Sequence, residues 1–393
     1  MQKILVLGAD GYCGWATTLY LSKLGYNVVA VDNYVRRQHW DQYKLVRYSD
    51  AVPNQHNKPL YDVKPAHERL QAWQQVTGKH VPFLNVDLTD FHAVMNMMSD
   101  QRPDAIVHFA EQRSAPFSFL SPHHALETIQ NNTFSTYNLL EAIARVNPNI
   151  HLIKLGTMGE YGYTPHKDII PEGEIDFPKR PNSPYHMTKC MDSIALEMMR
   201  RIYKLRVTDL HQGIVYGIQT DETSMDRALY NRFDYDGIWG TVLNRFCVQV
   251  LIGQPLSVYG AGGQSRGIIS IKDAIQCVEI SIRNPPEPGM MEVRNQLTEI
   301  MTVNQMAEAV TKAAEKLDIK VAVDHVYNPR LENENHDLKV GFGKFVTLGL
   351  KGNLLSDTLI NTELRFLSEF RSEINADLLN NQHLGEWRKK AAS

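Results

Sequence analysis

A chain of 393 residues with 43% hydrophobic content can bury a full core and has room for one large α/β unit with a smaller one beside it. Its 41 Lys+Arg against 44 Asp+Glu give a net charge of −3, which excludes the broad basic face that a nucleic-acid backbone requires. No apolar run reaches the ~18 residues of a membrane span, and the start of the chain carries neither a signal nor a transit pattern, so a cytoplasmic chain is expected. The cysteines Cys13, Cys190, Cys247 and Cys277 lack C-x-x-C spacing and read as free thiols. There is no H-E-x-x-H pattern among the histidines, and no metal is expected.

In chain order, Ile4–Leu7 reads as a strand, Ala16–Leu24 as a helix and Asn27–Val31 as a second strand. Val81–Val86, Ala105–Phe109, His151–Leu155 and Val207–Leu210 read as further strands, with helices over Thr128–Arg145 and Pro184–Tyr203. Beyond them come a helix at Val242–Ile252, short strands at Leu256–Tyr259 and Ile268–Ile271, and helices at Asp273–Arg283 and Val303–Lys316. This alternation predicts an α/β fold: a Rossmann-type, doubly wound parallel sheet with a smaller α/β substrate-binding domain. The expected division is 1–211 for the dinucleotide domain and 212–393 for the other, with some later segments returning to the first. An inserted stretch, roughly 33–80, is long for a connection; it has a helical end at Ala66–Thr77 and is expected to form a lobe over the cofactor cleft.

Gly8, Gly11 and Gly14 form G-x-x-G-x-x-G directly between a strand and a helix. Glycines there allow a tight turn, a close backbone approach to a pyrophosphate and close packing of helix on strand. Asp32 ends the second strand, where a carboxylate accepts both ribose hydroxyls of NAD and repels a 2′-phosphate. Arg36 and Arg37 could hold such a phosphate and keep NADP as the lesser alternative. Asp87 and Leu88 follow the third strand, placed to meet the adenine.

Tyr185 and Lys189 form Y-x-x-x-K at the start of a predicted helix, four residues apart and so on one face. The ammonium can lower the phenol's pKa from ~10 and hold the nicotinamide ribose, making a usable base. Thr157, after the strand His151–Leu155, can share the same substrate hydroxyl. Such a set removes hydride from a secondary alcohol to NAD and can return it later.

The runs Asp10–Ala16, Asp32–Arg37, Val107–Pro116, Lys154–Gly162, Gln212–Gly217 and Leu243–Gln249 together resemble the UDP-sulfoquinovose synthase family, from about Lys3 to Trp387. The resemblance implies conversion of UDP-glucose and sulfite to UDP-sulfoquinovose: C4 oxidation, loss of the C6 hydroxyl, sulfite addition at C6 and return of the hydride. It gives Thr157, Tyr185 and Lys189 the catalytic roles. On the NAD side it places Tyr12, Cys13, Asp32, Asn33, Arg36, Asp87, Asn131, Tyr185, Lys189 and Val215. On the UDP-sugar side it places Arg113, Thr157, Gln212, Asn244, Arg245, Ser257, Val258, Tyr259, Arg266 and Arg330. A UDP-sugar carries two phosphate charges, for which guanidinium forks such as Arg266 and Arg330 are suited.

Two stretches depart from the family pattern, Phe177–Pro184, which is shorter and lacks a glutamine, and Glu332–Asp337, and both fall on the substrate side. Sugar 4,6-dehydratases follow the strand-end threonine with an Asp-Glu pair, whereas Met158 and Gly159 stand here. Elimination therefore needs a proton carrier from elsewhere, with His186 first and Glu111 and Glu160 as alternatives. A UDP-sugar 4-epimerase or dehydratase that never meets sulfite is the competing enzyme, and an NAD-binding scaffold the competing non-enzyme. Thr128–Arg145 and Pro184–Tyr203 could supply a four-helix interface in a homodimer.

Overall fold

The computed structural model describes residues 2–38, 59–162, 168–173, 179–328 and 336–379. Seven parallel strands form the main sheet: β1 (Lys3–Leu7), β2 (Asn27–Asp32), β3 (Phe83–Asn85), β4 (Ala105–His108), β5 (His151–Thr157), β6 (Arg206–Gln212) and, from far along the chain, Met291–Gln296. Their spatial order is β3-β2-β1-β4-β5-β6 followed by the late strand, so the order reverses between β1 and β4. The carboxyl ends at that reversal form the crevice where such sheets bind ligands.

Helices cover both faces because successive strand residues point opposite ways. Ile4, Val6, Val28, Ala30 and Val107 pack on one side beneath α1 (Tyr12–Leu24), α3 (Ala66–Thr77) and α8 (Ile271–Arg283), α2 being the single turn Val35–Gln38. Leu5, Leu7, Val29, Val31, Ile106 and Leu152 pack on the other side, beneath α4 (Phe91–Gln101), α5 (Pro122–Val146) and α6 (Pro184–Tyr203). Both α5 and α6 begin on a serine cap followed by proline: Ser121 accepts from the His124 N–H and Ser183 from the His186 N–H.

Beyond β6 the chain builds β7 (Ile214–Tyr216), α7 (Val242–Ile252), β8 (Leu256–Tyr259), β9 (Ser265–Ser270), β10 (the late strand Met291–Gln296), β11 (Glu299–Thr302), α9 (Val303–Glu315), β12 (Val323–Val326), α10 (Lys344–Thr347) and α11 (Asp357–Ser368). A three-stranded sheet β11-β9-β7 and a parallel pair β12-β8 sit here, around a second core of Phe246, Val248, Val258, Met306, Val310 and Leu364. Leu60, Tyr61 and Val63, from the long segment after β2, are buried in this same second core. The Leu60 N–H donates to the Phe233 carbonyl at 3.0 Å and the Tyr61 hydroxyl to the Asn231 carbonyl at 2.5 Å. The rest of the predicted lobe, 39–58, lies outside the described residues. Among the described residues no helix is long and apolar enough to cross a membrane.

Candidate active site

The turn from β1 to α1 is held by close backbone approaches. Gly8 sits at φ +85°, and a Cβ there would lie 2.8 Å from the Ala110 nitrogen; one on Gly14 would overlap the Gly8 carbonyl oxygen. A cradle that admits no side chain suits a pyrophosphate laid on backbone N–H groups, so the residues present fit a dinucleotide. Asp32 accepts from the Asp10 N–H at 2.9 Å and the Tyr34 N–H at 2.7 Å. Burial, with help from the Asp10 charge, pushes its carboxyl up to about 6. Asn33 accepts from the Val35 N–H at 3.0 Å, and Asp87 caps its own turn by accepting from Thr89. Tyr12 donates to the Gly217 carbonyl; Cys13, whose thiol burial raises to about 12, bonds Gln212. Leu88 and Val215 are buried beneath the crevice, and Asn131 donates to Asn132 at 3.0 Å.

The two arginines after Asp32 part company. Arg37 forks onto Asp10 at 2.5 and 3.0 Å and reaches the Val63 and Lys64 carbonyls at 2.7 Å. Arg36 turns toward the substrate side: its guanidinium lies 3.8 Å from the Trp239 ring centroid and 3.6 Å from Asp234. Arg113 meets the same Asp234 at 2.7 Å and Arg232 at 2.9 Å. Three guanidinium groups hold that carboxyl far below the usual range against the opposing effect of burial.

Tyr185 and Lys189 lie in the first turns of α6, with the ammonium 5.9 Å from the phenol ring centroid. Thr157 ends β5 and hydrogen-bonds the Tyr185 phenol, while its hydroxyl also accepts from the Gly159 N–H at 3.2 Å. The three residues therefore meet. One expectation needs correction: in the free chain the phenol is raised above its ordinary value, not lowered. Burial is the larger cause and Glu111 adds to it, while Lys154, Thr157 and Arg113 oppose. The Lys189 ammonium is bonded to Glu111 and to the Leu155 carbonyl.

His186, next to Tyr185, is nearly fully buried, its ring centroid 5.2 Å from the phenol's. It occupies the space beside Gly159, where an added Cβ would overlap ring atoms Cδ2 and Nε2. The absent dehydratase pair is thus the room this imidazole needs. Glu160 is fully buried and accepts from the Thr157 N–H at 3.3 Å, Lys179 at 2.8 Å and Ser193 at 2.7 Å. Ser193 also donates to Asp209, and His211 lies 3.4 Å from Asp209 and 3.6 Å from Glu160. Glu160 therefore shapes the turn that carries Thr157 and Gly159.

On the substrate side, Gln212 stands opposite Thr157 across β5 and β6 and donates to Gln296 at 2.8 Å. Asn244 donates to the Asp234 carbonyl at 3.3 Å, joining the Arg113 group. Arg245 donates to the Tyr259 hydroxyl at 2.5 Å, and Ser257 pairs with Gln249, with Val258 buried between them. Arg266 stands apart on β9, bonded to the Ser265 carbonyl at 2.8 Å. Arg330, residues 177 and 178, and 332–335 lie outside the described residues. Sequence reading missed Lys154, Asp192, Arg232, Asp234 and Trp239; a lysine inside the apolar run His-Leu-Ile-Lys-Leu was the visible signal for the first.

A glycine cradle beside an acidic strand end, with Thr157, Tyr185 and Lys189 across the crevice, defines an NAD-dependent enzyme of the nucleotide-sugar class; the model of the NAD dependent epimerase/dehydratase family matches residues 4–295. The chain is similar to the UDP-sulfoquinovose synthase, chloroplastic, of Spinacia oleracea, 43% identical over 95% of this chain and 77% of that one. It is 41% identical to the UDP-sulfoquinovose synthase of Sulfolobus acidocaldarius, over 85% and 84% of the two chains. It belongs to the UDP-sulfoquinovose synthase family. Among solved structures, UDP-glucose 4-epimerase from Bifidobacterium longum in complex with NAD+ and UDP has the same fold, with a TM-score of 0.68, 20% identity and coverage of 95% of this chain and all of that one.

Proposed function

We propose that the enzyme converts UDP-glucose and sulfite to UDP-sulfoquinovose with Thr157, Tyr185, Lys189 and His186 as its working side chains. The observation that carries this reading beyond C4 epimerisation is the His186 imidazole seated beside Gly159, against the Tyr185 ring and next to the turn that begins at Thr157. An epimerase leaves C5–H and the C6 hydroxyl intact and has no need of a second proton carrier there. NAD, when bound, would supply the acceptor for the C4 hydride and its later donor. Tyr185 takes the C4 hydroxyl proton, Thr157 shares that hydroxyl, and Lys189 holds the ribose. His186 then removes the C5 proton and passes it to the departing C6 hydroxyl, which leaves as water; bisulfite adds at C6, its proton reaching C5 through His186, and Tyr185 gives its proton back to the C4 oxygen. An imidazole suits that exchange at neutral pH. The other two candidates are committed elsewhere: Glu160 to Thr157, Lys179 and Ser193, and Glu111 to Lys154, Lys189 and Thr136.

For the UDP-sugar we assign Arg113, Gln212, Asn244, Arg245, Ser257, Tyr259, Arg266 and Arg330. Arg113 and Arg36 share Asp234 in the free chain, a carboxylate that keeps both guanidinium groups in place until an anion arrives. Two copies pair through α5 and α6, whose outer faces expose Phe134 (52%), Tyr137 (42%), Met191 (43%) and Ile194 (62%) side by side. Mass analysis of products from UDP-glucose with and without sulfite tests the reaction. A sulfonated UDP-hexose formed only with sulfite is expected; UDP-galactose alone defeats the reading.

A further inference from the structure

Beneath the Tyr185–Lys189 pair lies a sealed ionic group that the reaction as written does not use. Glu111, just beyond β4, is 3% exposed, and so is Lys189, whose ammonium it binds. Its other oxygen meets Lys154 of β5 at 2.8 Å and the Thr136 hydroxyl of α5 at 2.9 Å. Lys154, 1% exposed, reaches on to Asp192 of α6 at 3.0 Å and to the Leu155 carbonyl at 3.2 Å. That same carbonyl accepts from Lys189. His108 of β4 stands 3.8 Å from Glu111 and 3.2 Å from the Thr136 hydroxyl.

A carboxylate this deep survives only with full compensation. Glu111 has it, from two ammonium groups and a hydroxyl on three different elements. A lone Glu111–Lys189 pair would cancel the lysine charge that Tyr185 and the ribose require. The second ammonium alters that balance: with Lys154 answering Glu111, the three groups keep one net positive charge beside Tyr185, although burial lowers the Lys189 ammonium, Glu111 opposes this and the Lys154 charge adds to it. We propose that Glu111 and Lys154 are a positioning pair: Glu111 fixes the Lys189 ammonium at the crevice, and Lys154 neutralises Glu111 so that Lys189 still acts as a cation on Tyr185. The inference rests on the reading above, in which Tyr185 is the base.

The sign of the pH effect follows from the groups that face the pair. These are His108 from β4, Tyr185, Lys189 and Asp192 from α6, and Asp209 from β6, with Thr136 as the hydroxyl from α5. Burial alone would raise the Glu111 carboxyl, but Lys154 and Lys189 hold it well below the ordinary range. It stays anionic through neutral pH. Removing Lys154 exposes that charge to Tyr185 and raises the phenol.

The test uses the full-length chain with its bound cofactor and two readouts: retention of NAD through gel filtration, and the pH profile of cofactor reduction on mixing with UDP-glucose. Lys154→Met should move the limb assigned to Tyr185 upward by about one pH unit. Glu111→Gln, which frees Lys189, should release NAD about tenfold faster and lower kcat with little change in KM. In the double variant, where the Glu111 charge is gone along with the ammonium that offsets it, the limb should return to within about half a unit of the parent. Lys154→Arg should keep the parental limb. Should either charge removal unfold the chain, Thr136→Val loosens Glu111 without changing charge and should speed NAD loss about threefold with the limb unmoved. A lowered melting temperature with NAD retention and the limb both unchanged overturns the proposal. A parent enzyme that never reduces its cofactor with UDP-glucose defeats the reading of the reaction instead, and the NAD-retention series then decides the positioning role alone.

Discussion

Gly159→Ala is the smallest change that interrogates the seat of His186. Position 159 does not have a positive φ, so alanine meets no backbone penalty there. Alanine for glycine at a compatible site ordinarily stabilises by ~0.4–1 kcal/mol. The new methyl would overlap two ring atoms of His186 and lie 3.0 Å from a third. The ring has little room to retreat, with the Tyr185 ring against it at 5.2 Å and the His186 backbone N–H tied to the Ser183 cap at 3.0 Å. Overpacking of this kind costs ~1–3 kcal/mol, so the net effect should be a destabilisation of ~1–2 kcal/mol. With His186→Ala already in place the ring is gone and the sign should reverse, Gly159→Ala then stabilising by ~0.5 kcal/mol. A double-mutant cycle by urea unfolding reads the coupling, expected at ~2 kcal/mol. Deuterium exchange at C5 of UDP-glucose in deuterated water follows the chemistry: Gly159→Ala should suppress it while cofactor reduction persists. Additive effects within ~0.5 kcal/mol, or full C5 exchange in Gly159→Ala, would refute the placement of the imidazole or its role.

Tyr185→Phe should keep fold and bound NAD and lose turnover at least ~100-fold, whereas Lys189→Ala should also shed NAD on gel filtration; both are read by product mass and released nucleotide. Asp32, raised to about 6, sets a pH dependence of known sign. At this group the folded free chain binds a proton that the unfolded chain has released, so its contribution to stability falls as pH rises from ~4 to ~6 and is level above. NAD, whose ribose donates to the carboxylate, should bind progressively more weakly as pH drops below about 6. Titrations with Asp32→Asn should show the NAD dependence gone and the stability slope reduced, the rest of that slope coming from Asp236, raised to about 6, and Glu363, raised to about 7, both by burial. Ile194→Glu should convert a dimer to a monomer on light scattering without abolishing NAD binding; a parent chain already monomeric at working concentration defeats the α5–α6 pairing.

The sheet, the glycine cradle and the Y-x-x-x-K helix were legible because each rests on local pattern: a period of two, glycines at fixed offsets, and a serine-proline start. Helix Pro184–Tyr203 matches its predicted bounds for that reason. Strand β10 escaped notice because its sequence, Met-Glu-Val-Arg-Asn-Gln, is polar, and its buried Asn295 and Gln296 are paired with Glu172, Gly341 and Gln212, far away in sequence. The helix Phe91–Gln101 went unread despite its Asp90 cap, its apolar stripe being carried by scattered methionines. The family resemblance puts Arg36 on the NAD side; what no local pattern shows is that Asp234 and Trp239, some two hundred positions on, meet its guanidinium in the free chain. The environment of Tyr185 was misjudged for the same reason. The lysine was visible in the motif, but the carboxylate that claims it sits on another strand end.

The short stretch after the undescribed part of the lobe works as a rivet through both halves of the crevice. Tyr61 is sunk in the substrate-side core, while two residues later the backbone carbonyls of Val63 and Lys64 grip Arg37, and Arg37 grips Asp10 in the dinucleotide turn. A cleft riveted along one edge cannot hinge open there without pulling an aromatic ring out of a packed core and stranding a guanidinium. Any widening of the crevice must therefore come from elements other than this stretch. A coenzyme laid on the β1–α1 turn would lie beside that rivet, which suits a carrier that is reduced and reoxidised within one turnover.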